Sequence, residues 1–391
     1  MSGRRSAASS DERPAPAALP DERPAPAAWS DERPAPASVD ARRAAPPPGV
    51  AGPGGLVVVH AHPDDETLAT GALLATWAAA GLPVTVVTAT RGERGEVIGH
   101  ELAHLQGDGP ALAAHRTTEL AAALAALGVT DHAFLDTLPP PASHPATRGT
   151  GGASEAEVTS HQSHRSHQHH VWRDGTYRDS GMVWVGVARA GAVPPEDVPA
   201  GAFVGVPLDE AAGRLARLLR DRRPAVVATY DPDGGYGHPD HVRVHEVTMR
   251  AVALATGPGD GWAPSVLWRR SGREALAAGY RALADGRTRA ALGAPADGLT
   301  LPDPAGPFPA VVVPDEDLDL AVDVAPVRDR MLAALLAHAT QVQAVRAVDA
   351  PALVGCYALS DGLLAPLLPD EAYVLAAGPE PALPPGVRRL P

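Results

Sequence analysis

From residue 56 onward, short β-branched apolar runs alternate with longer stretches of helical periodicity. Leu56–His60 (LVVVH) and Pro83–Thr90 (PVTVVTAT) have the length and composition of buried parallel strands. Thr67–Ala80 carries leucines at helical spacing, and His115–Leu127 is a second helix rich in Ala and Leu. Strands that alternate with helices predict right-handed crossovers and a mostly parallel sheet flanked by helices.

The same alternation continues in the second half of the chain. Asp209–Arg222 predicts a helix and Ala225–Tyr230 a strand, and another helix follows from His241 to about Ala255. Weaker patterns predict a helix over Arg273–Ala284 and a longer one from Val327 to about Val345, with strands beginning at Phe134 and near Val266–Trp268, Ala310–Val313 and Tyr373–Ala376. We therefore expect a Rossmann-like α/β fold with a smaller C-terminal α/β subdomain.

Three segments stand outside this pattern. Residues 1–54 repeat the heptad DERPAPA from Asp11, Asp21 and Asp31, and no repeat has the apolar bulk to form a core, so we predict a disordered tail. Residues 139–172, which are rich in Pro, Gly, Ser and His, predict a surface insertion within a domain spanning 55–378. The clustered histidines of this insertion match no rigid metal site, and we interpret them as incidental. Residues 379–391 are interpreted as a C-terminal tail.

Charge and cysteine content narrow the functional classes. The formal net charge of −13 argues against a nucleic-acid-binding surface, which is normally rich in clustered Lys and Arg. Cys356 is the single cysteine, so an internal disulfide is excluded and a reducing compartment is favoured. No apolar run reaches the roughly 20 residues that a membrane helix needs, and the N-terminus does not resemble a signal peptide. We expect a soluble, cytoplasmic protein that binds neither nucleic acid nor membranes.

Acidic and imidazole side chains follow two of the predicted strands. HPDDE at His62–Glu66 follows the first strand, and HPDH at His238–His241 ends the loop after Ala225–Tyr230. In open α/β sheets, ligands bind outside the carboxyl ends of the strands, so the two loops can meet at one site. A dinucleotide-binding fold would instead carry a glycine fingerprint after its first strand. Nitrogen and oxygen ligands without a thiolate suit Zn²⁺, and Fe²⁺ would also be accommodated.

These motifs resemble those of a known family, the LmbE-like (PIG-L) zinc N-deacetylases. The resemblance rests on HPDDE followed far downstream by HPDH. Further stretches, in order along the chain, resemble the branch that acts on N-acetylglucosaminyl-inositol in mycothiol biosynthesis: RGERGEVIG at 91–99, HRTTEL at 115–120, YRDSGM at 177–182, YDPDGGYGHPDH at 230–241, AHATQV at 337–342 and YALSDGLLAPLLPDEAYVLAAG at 357–378. The resemblance covers the expected domain apart from its insertion.

The resemblance implies a role for each motif residue. The implied ligands of one zinc ion per subunit are His62, Asp65 and His241. Asp64 matches the general base, which takes a proton from water and returns it to the leaving amine. Tyr236 and His238 would stabilise the oxyanion. Asp240 is expected to orient His238.

The resemblance also implies a substrate. Glu96, Arg116 and Asp179 match family positions that face the substrate, here a small amino-sugar inositol conjugate. The expected reaction releases acetate and glucosaminyl-inositol.

Three other activities fit the sequence less well than this one. An amidase of mycothiol S-conjugates, in the same family, is expected to carry a lysine shortly after HPDDE, whereas Thr67–Thr70 (TLAT) contains none. A metal-dependent phosphoesterase would need ligands for a second ion and more basic groups than Arg91 and Arg94 provide. A non-catalytic binding module would not need the carboxylate of Asp64.

Overall fold

The computed structural model describes residues 54–141, 175–186, 189–257, 261–292 and 298–391. The N-terminal tail predicted at 1–54 lies outside these residues except for Gly54, and most of the insertion predicted at 139–172, including its histidine cluster, also lies outside them.

The described residues form strands and helices in alternation. The strands are β1 (Leu56–His60), β2 (Val84–Thr88), β3 (Asp131–Phe134), β4 (Val183–Gly186), β5 (Arg189–Gly191), β6 (Val226–Thr229), β7 (Ser265–Gly272), β8 (Val312–Val313), β9 (Leu320–Asp323), β10 (Gln343–Ala350), β11 (Leu353–Ala358), β12 (Leu364–Leu367), β13 (Asp370–Ala377) and β14 (Val387–Arg389). The helices are α1 (Asp65–Ala79), α2 (Gly109–Leu127), α3 (Leu208–Arg222), α4 (Gly234–Gly237), α5 (Pro239–Ala255), α6 (Arg273–Ala284), α7 (Gly286–Leu292) and α8 (Arg328–Ala337).

The main sheet is mostly parallel. Its strand order is β14-β9-β13-β7-β6-β1-β2-β3, and β8 pairs alongside β7. The strands from β7 to β3 in this order are parallel to their neighbours, whereas β13, β9 and β14 pair antiparallel at the other edge. The α/β fold predicted from the alternating pattern is confirmed.

Helices cover both faces of this sheet because the side chains of a strand alternate between its two faces. Leu56 and Val58 of β1 pack in one core cluster with residues of α1, α2 and α8. Val57 and Val59 pack in a second cluster with residues of α3 and α5. All four β1 side chains are almost fully buried, which explains why β1 is continuously apolar in the sequence.

The long helix predicted from Val327 to about Val345 is wrong at its C-terminal end. Helix α8 ends at Ala337, and β10 begins at Gln343. Between them, the Thr340 backbone N–H and hydroxyl donate to the carboxylate of Glu119, at 2.8 and 2.6 Å. These long-range hydrogen bonds replace the helical ones, so tertiary contacts override a local preference for helix.

Smaller differences concern element boundaries. Phe134 ends β3 instead of beginning it. Helix α2 starts at Gly109, earlier than expected, because the side chain of Asp108 accepts a hydrogen bond from the Ala111 N–H and Pro110 occupies the first turn. The hairpin β4–β5 and the strands β9, β10, β11, β12 and β14 have no counterpart among the predicted elements.

The C-terminal region contains a second, smaller sheet. Strands β10, β11 and β12 pair antiparallel, and a separate core cluster lies between them and α6–α7. Residues 379–391, interpreted as a tail, include β14, which pairs with β9 at the edge of the main sheet. Among the described residues, no helix is both long enough and apolar enough to cross a membrane.

The fold brings the two motif loops together. The chain leaves β1 toward β2 and β3 on one side, whereas β6 leads to β7 on the other side, and β1 and β6 are parallel neighbours. The loops that follow β1 and β6 therefore lie at a topological switch point of the sheet, where open α/β sheets bind their ligands.

Candidate metal and catalytic site

The loop after β1 turns abruptly into α1. Asp64 adopts a φ of 113°, which is rare for any residue other than glycine. Its backbone carbonyl accepts hydrogen bonds from the N–H groups of Thr67 and Leu68, and so begins the helix. The carboxylate of Asp65 accepts a hydrogen bond from the His62 N–H at 2.9 Å. The motif therefore fixes the Asp65 carboxylate beside the backbone of His62.

The loop after β6 requires glycine at one position, and it ends at His238, the N-cap of α5. A Cβ on Gly234, whose φ is +67°, would lie 2.7 Å from the Val242 nitrogen and 2.9 Å from the His241 Cβ, so this position requires glycine. His238 caps α5, because its Nδ1 accepts a hydrogen bond from the Asp240 N–H at 3.1 Å, and Pro239 occupies the first turn. His241 lies in the same first turn.

Imidazole and carboxylate groups from the two loops meet at one place. The Asp65 carboxylate lies between two imidazoles: its Oδ2 is 3.4 Å from His62 Nδ1, and its Oδ1 is 3.4 Å from His241 Nε2. Ligand atoms of His62, His238 and His241 also lie within 4.8 Å of one another. All of these side chains are buried. The structure thus brings together the predicted metal ligands and adds His238 as a fourth possible one.

Asp240 does not act as expected. Its carboxylate was expected to orient His238, but it contacts His62 Nε2 at 3.2 Å and accepts hydrogen bonds from the Ser180 N–H at 2.9 Å and hydroxyl at 2.5 Å. His238 is held by the backbone N–H of Asp240 instead. The carboxylate therefore orients the His62 ring, with Nε2 toward Asp240 and Nδ1 toward Asp65.

Charges in the cluster shift the pKa values of its imidazoles in opposite directions. Burial lowers the pKa of His62, but the surrounding carboxylates raise it well above its usual value, in the order Asp179, Asp240 and Asp65. Burial, followed by the charges of His62 and His241, holds the pKa of His238 well below its usual value. The hydrogen bond from the Asp240 N–H to His238 Nδ1 favours the same neutral form, because that nitrogen is an acceptor.

Asp64 pairs with Arg116 beside the cluster. Arg116 is buried, and its Nη2 lies 3.1 Å from Asp64 Oδ2. The same guanidinium donates to the carbonyl oxygens of Gly92, at 2.6 Å, and Pro63. Burial raises the pKa of Asp64 to about 6, although the charge of Arg116 opposes this shift. Arg116, expected to face the substrate, is thus engaged by the loop that carries Asp64.

A buried network supports the loop after β1 from the far end of the chain. His338 Nε2 lies 2.7 Å from Glu66 Oε1, and both side chains are fully buried. Glu66 Oε1 also accepts from the Thr67 hydroxyl at 2.6 Å, and Glu66 Oε2 accepts from the Asp64 N–H at 2.9 Å. Glu66 therefore connects His338 to the backbone that sets the conformation of Asp64.

Two other predicted residues lie at the site, and a third is exposed. The buried Asp179 carboxylate accepts hydrogen bonds from Gly181 and Arg94, and its Oδ1 is 3.8 Å from His62 Nε2. The Tyr236 ring packs edge-on against His241, at 5.0 Å between ring centroids. Glu96 is exposed, and its backbone carbonyl oxygen accepts a hydrogen bond from the side-chain amide of Gln341.

Three residues that were not among the predicted site residues also make contacts at the site. The Tyr230 ring stacks on His241, at 4.1 Å and 11°, and its hydroxyl accepts a hydrogen bond from the Ala61 N–H at 3.0 Å. Ser180 holds Asp240, and His338 holds Glu66. Tyr230, Ser180 and His338 all belong to motifs that were recognised, so membership in those motifs was the available signal.

Comparisons with known proteins identify the family of this chain. Residues 57–252 match the family described as PIG-L: GlcNAc-PI de-N-acetylase. A 1D-myo-inositol 2-acetamido-2-deoxy-alpha-D-glucopyranoside deacetylase from Kineococcus radiotolerans is 44% identical over 325 residues, which cover 83% of this chain and 77% of that protein. Proteins of the same name from Nocardioides sp. and Streptomyces griseus are each 40% identical to this chain. The first match covers 73% of this chain and 83% of the Nocardioides protein. The second covers 85% of this chain and 86% of the Streptomyces protein. The chain belongs to the PIG-L (LmbE-like) family of de-N-acetylases.

Proposed function

We propose that this protein is a zinc-dependent deacetylase that hydrolyses the N-acetyl group of N-acetylglucosaminyl-inositol, giving glucosaminyl-inositol and acetate, as in mycothiol biosynthesis. The observation that carries the proposal is the meeting of His62, Asp65 and His241 at the switch point, with Asp64 beside them. The deacetylase name shared by relatives at 40–44% identity supports the same substrate class.

The residues of the cluster fit a divalent cation. His241 Nε2 is buried, and within the described part of the chain it has no hydrogen-bond partner. It faces Asp65, whose other oxygen faces His62 Nδ1. Two imidazole nitrogens and one carboxylate form a donor set of catalytic zinc sites, which keep a further position open. When bound, zinc would supply Lewis-acid chemistry that polarises an amide carbonyl and favours the ionisation of water.

Asp64 is the proposed general base. Its carboxylate is partly buried beside the ligand Asp65, and Arg116 holds one of its oxygens. A carboxylate with a pKa of about 6 can accept a proton near neutral pH and give it up again. Asp64 would therefore take a proton from the attacking water and return it to the amine that leaves.

His238 and Tyr236 are the proposed donors to the oxyanion. Because the Asp240 N–H donates to His238 Nδ1, the neutral imidazole carries its proton on Nε2 and can donate from there. Burial raises the pKa of the Tyr236 phenol well above its usual value, so the hydroxyl keeps its proton. Two donors that remain protonated can stabilise the negative charge that develops on the carbonyl oxygen.

A polar cavity supports a polyol as the remainder of the substrate. A space of about 370 Å³ adjoins Asp179, and its lining includes Glu93, Arg94 and Gln106. Carboxylate, guanidinium and amide groups together can donate to and accept from many hydroxyls. Glu96 is not among its lining residues, so its contact with the substrate stays a prediction, and Glu93 is the glutamate that faces this cavity.

Acetate release from two substrates tests the proposed function. The zinc-loaded protein is incubated with N-acetylglucosaminyl-inositol and, separately, with a mycothiol S-conjugate, while acetate and free amine are measured. We expect stoichiometric acetate and glucosaminyl-inositol from the first substrate. Cleavage of the S-conjugate alone would assign the amidase activity instead. Chelated protein and Asp64→Asn are the controls, and both should release little acetate.

A further inference from the structure

An exposed apolar hairpin lies close to the metal cluster. Val183, Trp184 and Val185 of β4 are 38, 48 and 60% exposed, and Leu336 is the other exposed large hydrophobic residue in the described part of the chain. Consecutive residues of a strand point to opposite faces, so the three do not form one apolar patch. Trp184 is the aromatic side chain among them, and its ring contact with Tyr236 distinguishes it from the two valines.

The base of this hairpin is anchored to the loop that carries His238. Trp184 pairs with Ala190 across the hairpin, and Ala190 is buried. The carbonyl oxygen of Ala190 lies 2.8 Å from the position that a Cβ on Gly237 would occupy, which is a very close approach of the two backbones. The hairpin is therefore fixed relative to His238.

The side chains of β4 project in two directions, and one direction leads toward the metal cluster. Side chains alternate along a strand, so Val183 and Val185 project from the face opposite to Trp184. The Trp184 ring stacks on Tyr236, at 5.9 Å between centroids and 28° between planes, and Tyr236 in turn contacts His241. Trp184 is thus two ring contacts from the cluster, and about half of its surface remains exposed.

We propose that Trp184 is a substrate-binding residue whose indole ring packs against the sugar ring of the conjugate. This inference rests on the proposed function, because it requires the acetamido group to lie at His62, Asp65 and His241. A pyranose ring presents C–H groups on its faces and hydroxyls around its edge. A flat apolar side chain can pack on such a face. The substrate is the occupant that this position favours, because the Trp184 ring reaches His241 through Tyr236.

The steady-state kinetics of three variants test this role. Trp184→Ala should raise KM for N-acetylglucosaminyl-inositol roughly three- to tenfold and leave kcat within about twofold, because it removes binding that does not change on the way to the transition state. Trp184→Phe keeps an aromatic face and should restore most of the affinity. Val185→Ser, on the opposite face of the same strand, is the matched control and should leave KM unchanged.

The outcomes separate this inference from the proposed function. If the wild-type protein releases acetate and Trp184→Ala keeps the wild-type KM, the inference alone is overturned. It is also overturned if Val185→Ser raises KM as much, or if Trp184→Ala changes only the oligomeric state measured by light scattering. A wild-type protein that releases no acetate from the conjugate overturns both. Quenching of tryptophan fluorescence by glucosaminyl-inositol in the wild type, reduced in Trp184→Phe, would support the contact directly.

Discussion

The two loops that form the site are held in place in different ways. The loop after β6 is held mostly by its own residues: the Asp231 carboxylate accepts from the N–H groups of Asp233 and Gly235, at 2.7 and 3.1 Å, and His238 caps the helix that follows. From outside the loop, Arg270 Nη1 of β7 lies 3.2 Å from Asp231 Oδ2. The loop after β1 depends on distant residues, because Arg116 holds Asp64 and His338 holds Glu66. Local hydrogen bonds therefore contribute most to the loop after β6, whereas residues from distant parts of the chain contribute most to the loop after β1.

The difference has a functional consequence. Asp64 needs a backbone conformation that costs of order 1–3 kcal/mol, and such a conformation persists only where the surroundings impose it. The partners from α2 and from the segment after α8 are those surroundings. We therefore expect substitutions in distant segments to affect the base, and, within the loop after β6, substitutions at or against His241 to affect the metal.

The largest expected effect separates the two candidate histidine ligands of the loop after β6. His241→Ala should lose the bound zinc and lower kcat/KM by at least about a thousandfold, because the open zinc site would keep only two protein ligands. His238→Ala should retain one zinc per chain, measured by elemental analysis, while kcat falls by about a hundredfold. Loss of zinc in His238→Ala together with retention in His241→Ala would exchange the two roles.

Replacement of the base tests the other loop without touching the metal ligands. Asp64→Asn should lower kcat by roughly 10²- to 10⁴-fold, because the amide cannot accept a proton from water. Zinc content and the thermal unfolding temperature should remain close to those of the wild type. A kcat within threefold of the wild-type value would rule out Asp64 as the base.

A smaller effect is expected when the distant support is removed. His338→Ala deprives Glu66 of its buried partner, and kcat should fall by roughly 10- to 100-fold, an effect typical of residues that orient a site without touching the substrate. KM and zinc content should change little, and His338→Gln, which can still donate to Glu66, should recover part of kcat. The exposed His104 provides the control, since His104→Ala should have no effect. A proportional loss of zinc would mean that His338 supports the metal and not the base.

The smallest expected effect comes from two adjacent glycines in the loop after β6. Both Gly234 and Gly235 have positive φ, so alanine at either position costs about 1 kcal/mol of stability. Only Gly234→Ala would also push against His241, because a Cβ on Gly235 meets nothing within 4 Å. Zinc affinity, measured by competition with a chelator, should fall in Gly234→Ala and stay unchanged in Gly235→Ala. Equal losses would show that backbone strain alone controls the metal site.

Much of the fold could be predicted because its strongest signals are local. Helix α6 was predicted with its observed bounds, and the buried strands β1, β2 and β6 were found as apolar runs. The end of α8 could not be predicted in this way, since it depends on hydrogen bonds to Glu119, far away in the sequence. The edge strand β14 and its neighbour β9 are short, so their patterns are weak.

At the site too, the features set by local sequence could be predicted and the long-range contacts could not. The motifs indicated which residues converge, because strand ends at a switch point meet in any sheet of this topology. They misassigned Asp240, since residues two apart in the first turn of a helix do not face each other, and its carboxylate turns toward His62 and Ser180. The pairing of Glu66 with His338 joins residues too far apart for spacing to indicate.

The relation between metal occupancy and activity tests the central claim most directly. Chelated protein is titrated with Zn²⁺, while acetate release from N-acetylglucosaminyl-inositol and bound zinc per chain are measured together. We predict that activity rises in proportion to occupancy and reaches its maximum at one zinc ion per chain. Full activity in the chelated protein, or a requirement for a second tightly bound ion, would contradict a single-metal deacetylase held by His62, Asp65 and His241.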